Sequence, residues 1–235
     1  MKSRKEIKAL AKEAVGMQRV TAILLYIMVF LLLVPAIIVF VVVGENLLYY
    51  VLYLAGMIFM LVASVNMYGE FIKIYKRENA SATAVFTEMK VNFLRKLGGM
   101  LWFVLWFILW SLLLIIPGII KLFSYFYTDL ILADCPNVKA RNALKLSMRI
   151  TQGHKWAIFV FVLSFLGWML LPAVIVGVAF VIGTIVYILA ILAALIFYIV
   201  FIYPYFYTAL AGMYVEMRDE ALASGRITKA DLGWE

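Results

Sequence analysis

The sequence predicts an all-α membrane protein with six transmembrane helices, arranged as three hairpins that are each preceded by an amphipathic interfacial helix. Three observations predict it. Of 235 residues, 67% are hydrophobic and only 14% charged, and the mean hydropathy is +1.05; soluble domains run at roughly 45–50% apolar and 25% charged. The apolar residues gather into runs that match or exceed the ~20 helical residues needed to cross a hydrocarbon core. Finally, 20 of the 21 Lys and Arg residues fall in segments 1–19, 73–96, 137–155 and 216–235. By the positive-inside rule these segments share the cytoplasmic side of the membrane, with both termini among them.

Taken in order, residues 1–19 place Lys5, Lys8 and Lys12 on one helical face and Ile7, Leu10, Ala14 and Met17 on another. That pattern predicts a helix lying on a membrane surface. The first span is 20–43, with Pro35 as a kink. Its 24 residues exceed a signal-peptide core, and no small-x-small cleavage pattern follows it. Gly44-Glu45-Asn46 predicts a tight turn before span two, 47–72, whose outer end carries Tyr49, Tyr50 and Tyr53 as an aromatic belt. A polar segment with a helical second half, 80–95, leads to span three, 97–116, where Trp102, Trp106 and Trp110 form a stripe. Pro117-Gly118 is expected to break the helix before span four, 119–134. A basic helix, 137–150, precedes the uncharged stretch that Pro172 and the glycines of 177–183 divide into spans five (156–176) and six (184–212). Residues 216–235 are the cytoplasmic tail. The whole is expected to be one integral membrane domain.

An internal repeat supports the hairpin plan. Tyr125-Phe-Tyr-Thr-Asp-Leu130 reappears as Tyr205-Phe-Tyr-Thr-Ala-Leu210, and each hairpin follows a short helix-patterned segment.

The composition also excludes several functions. One cysteine, Cys135, forms no internal disulfide, and with a single histidine, His154, no metal site is expected. No phosphate-binding glycine loop, nucleophile elbow or paired carboxylate appears, so no cofactor and no enzymatic activity are expected. The net charge of +8 suits basic loops at an anionic leaflet better than nucleic acid.

Two sets of residues stand out. Lys121, Tyr125 and Asp129 recur at i, i+4 and i+8, which on a continuous helix is one side. An aspartate near the bilayer centre costs about 2.5–3.5 kcal/mol on insertion scales, so it needs a partner or a wet cavity. With Tyr127, Asn66 and Glu70 these residues are candidates for a ligand or ion pathway. A structural polar contact with Asn66, Ser64 or Thr208 is the alternative. Lys121 is expected to snorkel to lipid phosphate, Glu70 to pair with Lys73 or Lys76, and Asp134 to cap or pair with the following helix. The second set is basic: Arg141, Lys145 and Arg149 form an i, i+4, i+8 stripe, flanked by Lys139 and Lys155, with no acidic residue across 137–155. It suits anionic headgroups, at on the order of 1 kcal/mol per cation, or a specific phosphorylated ligand.

The segments Ile116–Lys121, Leu130–Asp134, Ala143–Met148 and Gly153–Trp156 together resemble the bacterial integral membrane proteins of domain-of-unknown-function family 975 across about residues 90–172. Pro204–Thr208 is consistent with it, whereas Asp129 stands where that pattern leads one to expect proline. The resemblance implies a multi-pass membrane protein of a Gram-positive bacterium, distantly similar to the membrane region of glycerophosphodiester phosphodiesterases, and implies no established activity. The leading expectation is a non-catalytic module binding anionic membrane lipid, a membrane protein partner or a second copy of itself. A small transporter or lipid-handling protein working through Asp129 is the alternative, with a membrane-embedded enzyme third.

Overall fold

A computed structural model describes residues 1–113 and 115–234, and the side chains of all of these except residues 113, 115 and 116. The described residues are helical or in turns, with no strand. Five segments are long and apolar enough to cross a bilayer: Arg19–Val43, Leu47–Tyr75, Phe93–Leu112, Lys155–Ile182 and Thr184–Ala223.

The chain begins with α1 (Arg4–Met17), whose start is fixed by a capping box: the Ser3 hydroxyl accepts from the Glu6 N–H while the Glu6 carboxylate accepts from the Ser3 N–H. The helix packs along the last long helix, α12 (Tyr203–Ala223), and buries Ile7, Ala11 and Ala14. Small residues in its stripe let the two backbones approach closely, so protein covers the apolar face. Met17 remains exposed.

The first span is α2 (Arg19–Phe30) and α3 (Val34–Val43), joined by a 3-10 turn at Leu31–Leu33. The turn immediately precedes Pro35, which has no N–H to donate back to residue 31. Gly44 (φ 78°) then closes the expected tight turn, and Asn46 caps α4 (Leu47–Tyr75) by accepting from the Tyr49 N–H at 3.0 Å.

Two boundaries differ from expectation in the middle of the chain. Of the helix expected over 80–95, only α5 (Ala84–Thr87) forms, because Asn92 takes a left-handed conformation (φ 55°) and α6 (Phe93–Leu113) begins right after it. Pro117 and Gly118 do not break a helix; they lie in the first turns of α7 (Ile115–Ser124), where a proline removes only an N–H that has no helical acceptor. The expected end of span three at 116 falls among the side chains outside the description.

The segment expected as span four is not among the five long apolar segments and is not one continuous helix. After α7 the chain leaves helical geometry at 125–127 and resumes as α8 (Thr128–Asp134), so the limb returning along α6 is a broken helix. Next come α9 (Ala140–Ile150) and α10 (Lys155–Ile182), the latter running straight through Pro172. The last turn sits at Gly183 (φ 150°), later than the expected end at 176. From there α11 (Thr184–Phe197), a π-helical turn at Tyr198–Ile202 and α12 form one long run. It extends beyond the expected end at 212 to Ala223, because the buried stripe continues through Met213, Met217 and Ala221.

The core lies toward one end of the bundle. The second half of α4 and most of α12 are buried there, with α1, α8 and α9 packed around them. At the other end α3, the start of α4, the end of α10 and α11 expose long apolar side chains such as Val41, Leu47, Val181 and Ile185. A surface of that kind is stable only against hydrocarbon.

Candidate functional site

The break in span four creates the site. A helix interrupted at membrane depth leaves backbone groups without partners unless protein supplies them, and α9 supplies them here. The Ser147 hydroxyl donates to the Ser124 carbonyl (3.0 Å) and accepts from the Tyr127 N–H (3.2 Å), while the Thr151 hydroxyl, one residue past α9, is nearest the Ser147 carbonyl (2.9 Å) with the Ser124 carbonyl farther off at 3.3 Å. Ser147 and Thr151 are fully buried. The apolar side of α9 therefore faces α6 and α8 inside the bundle.

Beyond the break, Asp129 falls in the first turn of α8. The positive end of a helix favours an anion there. Asp129 lines a cavity of about 280 Å³ together with Tyr68, Tyr125, Thr128 and Tyr207, walled by Phe103, Phe126 and Phe206 among others. Both copies of the repeated block contribute: Tyr125, Phe126 and Thr128 from the first, Phe206, Tyr207 and Leu210 from the second. The rings are held by their neighbours. Tyr207 stacks on Phe71 (5.4 Å between centroids) and meets Tyr68 edge-on (5.6 Å), and Phe103 meets Tyr125 edge-on (6.3 Å).

The remaining pathway candidates separate from Asp129. Because the helix breaks, i, i+4, i+8 spacing does not keep Lys121 on the same side; its ammonium lies over the Trp110 ring (4.7 Å) and that of Tyr125 (5.7 Å). Tyr127 is fully buried against Tyr214, and its hydroxyl has no hydrogen-bond partner among the described residues. Asn66 does not reach Asp129: its carbonyl accepts from Lys96 Nζ at 2.6 Å and its amide donates to the Val85 carbonyl. Ser64 bonds back to the Leu61 carbonyl. Glu70, almost fully buried, pairs with Lys73 at 2.6 Å and accepts from the Ser81 N–H. Asp134 turns away from α9 altogether. It binds Arg218 of α12 (2.5 Å) and the Tyr214 hydroxyl (3.0 Å), with Lys76 at 3.8 Å.

The basic helix divides as well. Arg149 is bound at 3.0 Å by Asp231, a residue of the tail, which folds back so that Leu232 is buried and Asn137 donates to the Gly233 carbonyl. Asp231 is held below the usual carboxylate range, first by the Thr228 N–H and then by Arg149. Arg141 lies against the Trp102 ring (5.6 Å). Lys139, Arg141 and Lys145 are exposed and have no carboxylate partner among the described residues. Lys139, Asn142, Lys145 and Arg149 line a cleft of about 530 Å³ between α9 and the tail. Lys155 opens α10 beside the exposed Trp156. His154 is bound by Glu220 at 2.9 Å.

Sequence reasoning did not single out Tyr68, Arg218, Arg95 or Lys96. Arg95 closes the C-terminal end of α8 by donating to the carbonyls of Leu132, Cys135 and Val138, which is where a cation is favoured. The one available signal was for Tyr207, which belongs to the repeated block. Among the described residues no group of three or more His, Cys, Asp or Glu could hold a metal ion. Neither a curated protein nor a solved structure matches the chain. Residues 98–221, more than half of the chain, match the family described as Protein of unknown function (DUF975), and the chain belongs to that family.

Proposed function

We propose that the protein is a non-catalytic, multi-pass module of a bacterial cytoplasmic membrane that binds anionic lipid headgroups through the outer edge of α9. The charge distribution of the loops supports a cytoplasmic position for that edge and for both termini. The reading rests on one observation. α9 is locked into the bundle by its apolar and hydroxyl-bearing side, yet presents Lys139, Arg141 and Lys145 outward with no carboxylate partner among the described residues. Arg149 is excluded from the set because Asp231 already neutralises it. The contact of Arg141 with Trp102 supports a position at the headgroup level, where indole rings concentrate. The cleft beside Lys139 and Lys145 offers room for a headgroup, and its one acidic lining residue is occupied by Arg149 and Thr228.

The test compares lipids retained by the purified protein from nanodiscs containing phosphatidylglycerol and phosphatidylcholine. At on the order of 1 kcal/mol per cation, replacing Lys139, Arg141 and Lys145 by Gln removes about 3 kcal/mol, or roughly a hundredfold in preference for the anionic lipid. An unchanged preference in the triple variant would sink the reading.

A further inference from the structure

The cavity at Asp129 has an electrostatic character of its own. Its one charged lining residue is a carboxylate, and no Lys or Arg lines it. Buried or half-buried carboxylates are ordinarily matched by a cation or a full set of donors. Asp129 has no ion-pair partner among the described residues, and it keeps partial exposure. Lys121, the basic residue nearest in sequence, lies over the Trp110 ring (4.7 Å) and, farther off, over that of the wall residue Tyr125 (5.7 Å), without lining the cavity itself.

Aromatic rings make up much of the rest of the wall, which Met100, Leu122, Thr128, Val162 and Leu210 complete. Three tyrosines, Tyr68, Tyr125 and Tyr207, and three phenylalanines, Phe103, Phe126 and Phe206, line the same cavity as the carboxylate. The edge of an aromatic ring is positive and its face negative, and a cation within about 6 Å of the face is attracted. A set of rings around one carboxylate is the arrangement that recognises alkylated ammonium groups, since the rings replace hydration that methyl groups have already weakened. The volume, about 280 Å³, lies near the lower bound of about 300 Å³ for small-molecule sites. It suits a compact head and not an extended ligand. Fixed ring contacts, Tyr207 on Phe71 and Phe103 on Tyr125, mean that the walls are ordered before anything binds.

We infer that the cavity formed by Asp129 and the two repeated tyrosine blocks is a binding site for a small organic cation with an ammonium or quaternary ammonium head. It uses none of the α9 cations, so it stands or falls separately from headgroup binding there.

The decisive experiment titrates the purified, reconstituted protein with choline and with its uncharged isostere 3,3-dimethylbutan-1-ol, by calorimetry. Choline is expected to bind saturably, and the isostere at least about tenfold more weakly, because only the cation engages the carboxylate and ring faces. Asp129→Asn, which preserves shape, is expected to reduce choline binding by at least about tenfold while leaving thermal unfolding in place. The isostere comparison is made on the wild-type protein, so it decides the matter even if a variant fails to fold. Equal binding of the two compounds, or no saturable choline binding up to about 10 mM, overturns the proposal. Repeating the titration in bilayers with and without phosphatidylcholine identifies the source of the head. Weaker choline binding in the presence of that lipid assigns the site to a lipid-borne headgroup, and equal binding assigns it to a free cation.

Discussion

Replacing Asp134 by Asn tests the packing of the polar end most directly. The Asp134 and Arg218 side chains are only 9% and 5% exposed, and they join α8 to α12 at 2.5 Å. Removing the negative charge leaves the guanidinium buried with what it retains: Asp219, bound through Nε (2.9 Å) and Nη2 (2.7 Å), and the Trp234 ring at 4.8 Å. Asp219 is 56% exposed, so water screens much of its help. Breaking a buried pair from one side costs about 3–5 kcal/mol. The surviving Asp219 contact and the hydrogen bond that an Asn oxygen can still accept from Tyr214 place Asp134→Asn near the lower limit, about 3 kcal/mol. The comparison variant Asp219→Asn removes an exposed partner of the same arginine and should cost about 1 kcal/mol or less. Reversible unfolding in mixed micelles, followed by tryptophan fluorescence, measures both. A cost for Asp134→Asn below about 0.5 kcal/mol, or one equal to that of Asp219→Asn, would refute the argument that burial of Arg218 makes Asp134 indispensable.

Two further outcomes follow from local geometry. A Cβ on Gly212 would stand 2.2–2.6 Å from the Tyr75 ring, so Gly212→Ala should destabilise by about 1–3 kcal/mol; a double-mutant cycle with Tyr75→Ala should show strong coupling, and additive costs would contradict the contact. Ser147→Ala strips the Tyr127 N–H of its acceptor and the Ser124 carbonyl of its nearest hydroxyl donor, at about 1–3 kcal/mol. Hydrogen exchange at Tyr127 should accelerate in that variant, and unchanged protection would mean that the break is not held by α9.

Span positions were legible because they depend on hydropathy summed over ~20 residues, a property that each segment carries by itself. The starts of α2, α4 and α10 fall within a residue of expectation for that reason. Partner identity was not legible. Asp134 lies immediately before a basic helix in sequence, yet its cation comes from Arg218, 84 positions away. Arg149 looked free within 137–155, yet Asp231 neutralises it across 82 positions. The apolar face of α1 reads identically whether lipid or α12 covers it, since hydrophobicity does not name what does the covering. The i, i+4, i+8 argument failed for a more specific reason. It assumed a continuous helix through 125–127, and the groups that make a break affordable, Ser147 and Thr151, lie on a different helix.

The two repeated blocks show why the break and the carboxylate belong together. In the first, Tyr125–Leu130, the helix restarts at Thr128, so the fifth residue, Asp129, occupies a first helical turn whose N–H groups have no carbonyl acceptor four residues back. In the second, Tyr205–Leu210, the helix already runs from Tyr203, and the fifth residue is Ala209, fully buried in its interior. A carboxylate at 209 would meet N–H groups already committed to the helix and would have to be neutralised by some other means. Where the backbone is open the block carries an aspartate, and where it is closed it carries an alanine. The hydroxyls of α9 therefore hold open the one helix end at which a charge can be placed between the two sets of tyrosines.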